Sequence, residues 1–323
     1  MTPYAVGIDL GGTNLKAALV HRDDGLCAQD RCPTQALDGP DAILERIVRM
    51  AEAMKAKMPE DGSFEGIGIG SPGAINWERT TVTQPSNLPG WDTVNLKEVL
   101  QRHFGDVAVV VENDANVAGL GSAYYGAGRS FDSFVMATLG TGVGGAIIYQ
   151  NKIFRGSTGA AGEIGHMTIN YEGPYERYGI GGSSEAYLGQ QFLSHHARMR
   201  LLSVDSTVHD LCGDDLHDLT PRILYEAAQA GDEPARDMLA WAGHKLGCLL
   251  GSIVNLLDIR TVIVGGGVSA AGHYLLDSAR DALTEYTIPP MRDGLSMKRE
   301  TLGNEVSLLG AARLVFDPDG TQV

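Results

Sequence analysis

Asn113 and Asp114 stand in the run Val110-Val-Glu112-Asn113-Asp114-Ala115-Asn116, where an apolar stretch gives way to small residues. A carboxylate at such a junction can take a proton from a hydroxyl, or it can merely cap a helix, since Asp and Asn are favoured N-caps. Alone, the pair is best explained as a cap. Other segments shift the balance. Asp9-Leu-Gly-Gly-Thr-Asn-Leu-Lys16 sets an acid ahead of two glycines. Glycines let backbone N–H groups approach phosphate oxygens, and a nearby carboxylate can hold a hydrated Mg²⁺. Thr138-Leu-Gly-Thr-Gly-Val-Gly-Gly145 is a second candidate phosphate loop, with the Thr141 hydroxyl beside Gly142. Val264-Gly-Gly-Gly-Val268 suits an adenosine lying against bare backbone. Ala161-Gly-Glu163-Ile-Gly-His166, with Glu185 further on, adds two acids and an imidazole. Together with Asn113 and Asp114 they suit several hydroxyls on one small polyol. Singly, each has an ordinary alternative: a surface Glu, a core His, an acid at a helix start.

The elements that must position these groups follow from periodicity. Residues 107–111 read as a buried strand and 115–125 as a small-residue helix, which puts Asn113 and Asp114 at a strand-to-helix junction, where open α/β sheets handle ligands. Residues 4–10 form a strand, Gly11 and Gly12 a turn, and 15–20 the returning partner. Gly39-Pro40-Asp41 opens a helix whose apolar residues Ile43, Ile47, Ala51, Met54 and Met58 keep a helical rhythm until Pro59. Residues 66–70 are a further strand. The pattern then restarts: strand 131–139, a Gly/Thr turn, strand 146–149. This is no short-period solenoid but a pair of related lobes, each opening with a hairpin. The remainder reads as an irregular glycine-rich region at 156–184, helices across 184–198 and 221–257, a strand at 261–264, and helices at 270–286 and 308–316.

The whole chain narrows the classes further. Its 323 residues, 43% hydrophobic, allow one large or two medium domains with ample core. The net charge of −15, from 25 basic and 40 acidic residues without a basic stripe, argues against nucleic acid or an anionic membrane as partner. No leader peptide is evident, and the most apolar stretch, 246–257, falls short of the ~20 residues a membrane span needs. Cys27, Cys32, Cys212 and Cys248 show no CxxC spacing, which fits reduced thiols in the cytoplasm. The Walker sequence is absent. A dinucleotide-type GxGxxG/A pattern occurs at Gly68, Gly140 and Gly265, and none of the three opens a βαβ unit with the required acid.

Asp9-x-Gly-Gly-Thr, Gly70-x-Pro-Gly73, Asn113-Asp-Ala-Asn116, Leu139-Gly-Thr-Gly142, Glu163-x-Gly-His166 and Gly265-Gly-Gly267, in this order and spacing, resemble the ROK family of repressors and sugar kinases. Within it, the chain looks most like the glucokinases. The resemblance implies an α/β chain with the two-lobed actin-like ATPase (ribonuclease H-like) fold and a central ligand cleft. The expected lobes are residues 1–122, rejoined by a terminal helix at 305–318, and residues 123–304. It further implies ATP-dependent phosphorylation of a hexose at O6, ATP and Mg²⁺ as cofactors, and a homodimer. Glucose is favoured as the acceptor; mannose, N-acetylglucosamine and N-acetylmannosamine, and polyphosphate as donor, stay open. Carried over by position, Asp114 is the general base, and Gly73, Asn113, Glu163, His166 and Glu185 hold the sugar. Asp9, Gly11, Gly12, Thr13, Thr141 and Gly142 match the phosphate and Mg²⁺ loops, and Gly266 and Gly267 the adenosine side. The family's repressors carry a DNA-binding segment before the first lobe, for which the position of Asp9 leaves no room. One departure stands out. The family places a structural zinc on the His and on three cysteines of a CxCGxxGCxE motif, where this chain has Glu176, Tyr178 and Ser183. Structural zinc sites of that kind rely on thiolates, so the loop is expected to be zinc-free.

Overall fold

Ala5, Val6, Ile8 and Leu10 are all fully buried, so the strand that carries them needs cover on both faces. The computed structural model, which describes residues 2–85, 87–318 and 321–323, supplies that cover from two different helices. The chain divides into two compact units: Met1–Ser133, Ala146–Gly162 and Thr301–Val323 in the first, Phe134–Gly145 and Glu163–Glu300 in the second.

The chain begins with β1 (Thr2–Leu10), β2 (Asn14–His21), β3 (Gly25–Pro33), α1 (Pro40–Lys55) and β4 (Gly62–Ser71). A small sheet of β5 (Ala74–Ile75), β6 (Thr81–Thr83) and β7 (Thr93–Asn95) follows, then α2 (Leu96–Phe104), β8 (Ala108–Asn113) and α3 (Asp114–Tyr125). The main sheet of this unit has the order β3-β2-β1-β4-β8. β1 and β2 are antiparallel, with Asp9 opposite Lys16, whereas β1, β4 and β8 run parallel, with Asp9 beside Gly70 and Ser71 beside Asn113. Their carboxyl ends therefore share one edge. β3 was not foreseen, because Gln29, Asp30 and Arg31 at its centre are polar and open to solvent on an edge strand.

α1 buries Ile43, Ile47, Ala51 and Met54 against Val6, Ile8, Ile67, Ile69 and Val111 on one face of this sheet. The opposite face carries Ala5, Ala18 and Val20, covered by Leu308, Leu309, Ala312 and Val315 of the terminal helix Glu305–Phe316. That helix comes close enough to exclude side chains. A Cβ on Gly7 would lie 2.0 Å from the Leu308 carbonyl oxygen, and one on Gly68 1.7 Å from that of Ala311. The same helix locks α3, since a Cβ on Gly310 would lie 1.7 Å from the Val117 carbonyl oxygen. Backbone-to-backbone packing of this kind fixes where the amino end of α3 stands relative to the sheet edge.

In the second unit, β9 (Phe134–Leu139) leads into a Gly/Thr turn. β10 (Val143–Tyr149) then runs on into the first unit, where it pairs with β11 (Lys152–Ile153). Next come α4 (Glu185–Leu188), α5 (Gln190–Leu201), α6 (Val208–Cys212), α7 (Pro221–Gln229), α8 (Glu233–Leu257), β12 (Thr261–Gly265), α9 (His273–Tyr286) and β13 (Ser296–Arg299). The helix Glu305–Phe316 is α10. β12 lies parallel to both β9 and β13, with Gly265 beside Thr138, so carboxyl ends again share an edge. The helical stretch expected over 221–257 consists of two helices. Gly231, at φ +100°, breaks it, and Asp232 caps the second half by accepting the Ala235 N–H at 2.7 Å. Likewise Gly272, at φ +62°, delays the helix expected from residue 270 until His273. None of the four cysteines is in a disulfide, and among the described residues no helix is long and apolar enough to cross a membrane.

Candidate active site

The first unit gathers Asp9, Gly11, Gly12, Thr13, Gly73, Asn113 and Asp114 at the carboxyl edge of β1, β4 and β8. The turn after β1 closes with the Gly11 N–H on the Asn14 carbonyl at 3.1 Å. It is fastened from behind by Thr34, whose N–H reaches the Thr13 carbonyl at 2.9 Å and whose hydroxyl donates to the Gly11 carbonyl at 2.6 Å. Thr13 is left exposed at the tip. Asp9 is not a bare acid: Lys16 Nζ sits 2.8 Å from its Oδ2, across the hairpin. Gly73 follows β4 at φ +96°, where a Cβ would lie 2.9 Å from Pro85 Cα; glycine is required there.

Asn113 and Asp114 divide the two roles their types allow. Asn113 is the N-cap of α3, its Oδ1 accepting the N–H groups of Ala115 at 2.9 Å and Asn116 at 3.2 Å. Asp114, the first helical residue, is exposed, with Oδ1 on the Ala115 N–H at 2.9 Å. The capping duty thus rests mainly on the neighbour.

The second unit gathers Thr141, Gly142, Glu163, His166, Glu185, Gly266 and Gly267. The Gly140 N–H closes its turn on the Gly142 carbonyl at 3.0 Å, and Thr141 is exposed. Glu185 Oε2 accepts the Val143 N–H at 3.0 Å, so this acid braces the turn. A Cβ on Gly142 would lie 2.3 Å from that same oxygen. Ser184 ties α4 to the turn carrying Glu163 and His166, its hydroxyl on the carbonyls of Ile164 at 2.8 Å and Gly165 at 3.1 Å. His166 Nε2 lies 3.9 Å from Glu163 Oε2. Reduced solvation pushes the Glu163 carboxyl above its ordinary pKa, His166 opposing and Glu185 adding. With 58% of that side chain open to water, the push is modest. Gly266 and Gly267 are exposed beyond β12, and Gly266, at φ +81°, backs onto the end of β9, where a Cβ would lie 2.3 Å from the Leu139 carbonyl oxygen.

The segment between His166 and Glu185 does not fit a zinc. Both oxygens of Glu176 are engaged, Oε2 by the Tyr178 N–H at 2.9 Å and Oε1 by the Ile180 N–H at 3.0 Å. Tyr178 sets its ring edge-on to His166 at 5.2 Å, and Ser183 Oγ accepts the Ala186 N–H at 3.3 Å. Among the described residues His166 Nδ1, which is buried, has no hydrogen-bond partner, and it lies 3.9 Å from Glu176 Oε2. Glu176, Tyr178 and Ser183 thus occupy the motif's cysteine positions as a braced, thiolate-free turn.

Residues without a local sequence signal complete the first unit's edge. Glu112, Arg79 and Arg155 form a buried charge cluster directly behind Asn113. Burial lowers the Arg79 guanidinium's pKa, Glu112 opposing and Arg155 adding. Only the sequence position of Glu112, next to Asn113, could have hinted at it.

Known proteins resemble this chain over nearly its whole length. The chain matches the ROK family over residues 5–317. A glucokinase of Halalkalibacterium halodurans is 31% identical over 322 residues, covering 97% of this chain and 94% of that one. A ROK family glucokinase from Streptomyces griseus, crystallised with glucose and AMPPNP, aligns with a TM-score of 0.83 at 30% identity, covering 96% of this chain and 98% of that one. A xylose repressor of Caldicellulosiruptor bescii is 27% identical over 316 residues, 96% of this chain and 77% of the repressor. The α/β fold is that of the actin-like ATPases. This chain belongs to the ROK family.

Proposed function

We propose that this protein is an ATP-dependent sugar kinase that phosphorylates a hexose at O6, with glucose as the preferred acceptor and glucose 6-phosphate as product. The observation that carries the reading is Asp114: an exposed carboxylate at the first turn of α3, on the sheet edge that also holds the Gly11–Gly12 turn. The glucokinase relatives support it.

Phosphoryl transfer depends on positioning and charge neutralisation more than on covalent chemistry. Asp114 orients the O6 hydroxyl and takes its proton as the oxygen bonds to the γ-phosphorus and the bond from that phosphorus to the bridging oxygen breaks, releasing ADP. Asn113 and the Gly73 backbone hold the ring, and Glu163, His166 and Glu185 hold the remaining hydroxyls. The turns with Gly11, Gly12 and Thr13 and with Thr141 and Gly142 offer N–H and hydroxyl donors to the phosphates, and Gly266 and Gly267 a bare surface to the adenosine. Asp9, half-buried and oxygen-donating, fits a hydrated Mg²⁺, which when bound neutralises charge on the phosphates. The lobes are taken as 1–122 with 305–318 and 123–304, and excluding water from the bound sugar and ATP limits idle ATP hydrolysis. The cytoplasm and a homodimer complete the reading.

A coupled assay of ADP release across glucose, mannose, N-acetylglucosamine and N-acetylmannosamine with MgATP tests this directly. The expected result is ADP released in step with sugar 6-phosphate, with the highest kcat/KM for glucose. Silence on every sugar would overturn kinase activity; a higher kcat/KM for another sugar would overturn the preference alone.

A further inference from the structure

Glu112 stands immediately before Asn113 and Asp114, and none of its side chain reaches solvent. Its two oxygens do different things. Oε1 accepts the Asn113 backbone N–H at 2.9 Å and Asn116 Nδ2 at 3.1 Å, gripping the first turn of α3. Oε2 lies 3.1 Å from Arg79 Nε and 3.0 Å from Arg155 Nε. Neither Nε–H is aligned on it, so this contact is charge against charge.

The arginines are anchored in turn. Arg155, with none of its side chain exposed, donates to the carbonyls of Trp77 at 2.9 Å and Asn76 at 3.0 Å and to Gln322 Oε1 at 3.2 Å. Arg79 donates to Thr321 Oγ1 at 2.9 Å and the Pro318 carbonyl at 3.3 Å, while its own carbonyl accepts the Val111 N–H at 2.9 Å. It does so at φ 58°, a strained conformation for a residue with a side chain. Two segments distant in sequence thus meet on one carboxylate behind the proposed base, and the chain's last residues hold both arginines.

Stability alone gives no reason for such a cluster. Desolvating two cations and one anion is expensive, and apolar residues of similar volume commonly serve as well or better. What an apolar core cannot do is hold a backbone N–H on one side and positive charge on the other. A neutral amide cannot do it either, because only one of its two terminal atoms accepts.

We infer that Glu112 is the positioning residue for Asp114, and that Arg79 and Arg155 lock it in place from the Asn76–Arg79 turn and the chain's last residues. The inference rests on Asp114 being the general base. In Glu112→Gln the two arginines draw the one accepting atom, the amide oxygen, so the NH₂ group turns to the Asn113 N–H and the first turn of α3 is released.

The test measures melting temperature, and steady-state kinetics well below it, for Glu112→Gln, Arg155→Gln, the double variant and Asp114→Asn. In Glu112→Gln, kcat is expected to fall at least ~10-fold with the ATP KM within about 2-fold, since a small misplacement of a catalytic group costs rate rather than nucleotide binding. The double variant restores the cluster's net charge, so its melting temperature should recover towards wild type while kcat stays low. If Glu112→Gln does not fold, the double variant is read against the same threshold. A smaller loss of kcat in a folded variant, or a loss expressed in the ATP KM, overturns the inference and leaves the cluster a stability element. Active Asp114→Asn would instead remove the base assignment on which the inference stands; inactive Asp114→Asn beside active Glu112→Gln sinks the inference alone.

Discussion

Glu163 and Glu185 are alike in the sequence and unlike in the structure. From residue type both belong to the sugar, and removing either should weaken sugar binding without touching ATP. Glu163 is largely open, and among the described residues its one ion pair is with His166, at 3.9 Å. Glu185 holds the Val143 N–H at 3.0 Å, at the base of the second Gly/Thr turn. A charge-assisted hydrogen bond contributes about 1.5–3 kcal/mol, or roughly 10- to 100-fold in affinity. Glu163→Ala is therefore expected to raise the sugar KM by that order and leave the ATP KM in place. Glu185→Ala is expected to raise both, because the turn loses its brace. Initial rates with each substrate varied in turn decide this. A rise in the ATP KM for Glu163→Ala, or none for Glu185→Ala, contradicts the assignment.

At the scale of elements, the segment between His166 and Glu185 makes the sharpest claim. Glu176 fastens the turn through two backbone N–H groups, a job its side chain can do without a metal, and Tyr178 packs on the imidazole. Chelator treatment should leave melting temperature and, once Mg²⁺ is restored, activity unchanged. About one zinc per chain in purified, untagged protein, with stability lost on its removal, would contradict this. Elements whose cause is local were legible in the sequence. The rhythm of Ile43, Ile47, Ala51 and Met54 marks α1, and paired glycines mark both hairpin turns. Elements held by distant partners were not. β3 exposes Gln29, Asp30 and Arg31 and is held mainly by pairing to β2, and the helical reading of 221–257 did not locate the break made by Gly231 and Asp232. The cluster of Arg79, Glu112 and Arg155 joins residues far apart in sequence, and charge pairing over such separations leaves no spacing to read.

In the whole molecule, each unit repeats one device: parallel strands end at a common edge, and a Gly/Thr turn projects beside them. The composition of those turns made the candidate site readable, because glycine is required wherever backbone must approach a phosphate. The first unit adds a carboxylate, Asp114, on a helix locked to the sheet by α10. Membership of the ROK family does not by itself separate a kinase from a repressor; a working base does. The most direct test is therefore the rate of MgATP-dependent glucose phosphorylation by wild type and Asp114→Asn, with glucose binding measured by calorimetry on the same samples. Asn is nearly isosteric and still hydrogen-bonds, but it cannot take a proton. The expected result is a fall in kcat of at least ~10²-fold with glucose affinity largely retained. Folded Asp114→Asn that keeps more than about a tenth of the wild-type kcat would contradict the account and reduce Asp114 to a helix-end acid.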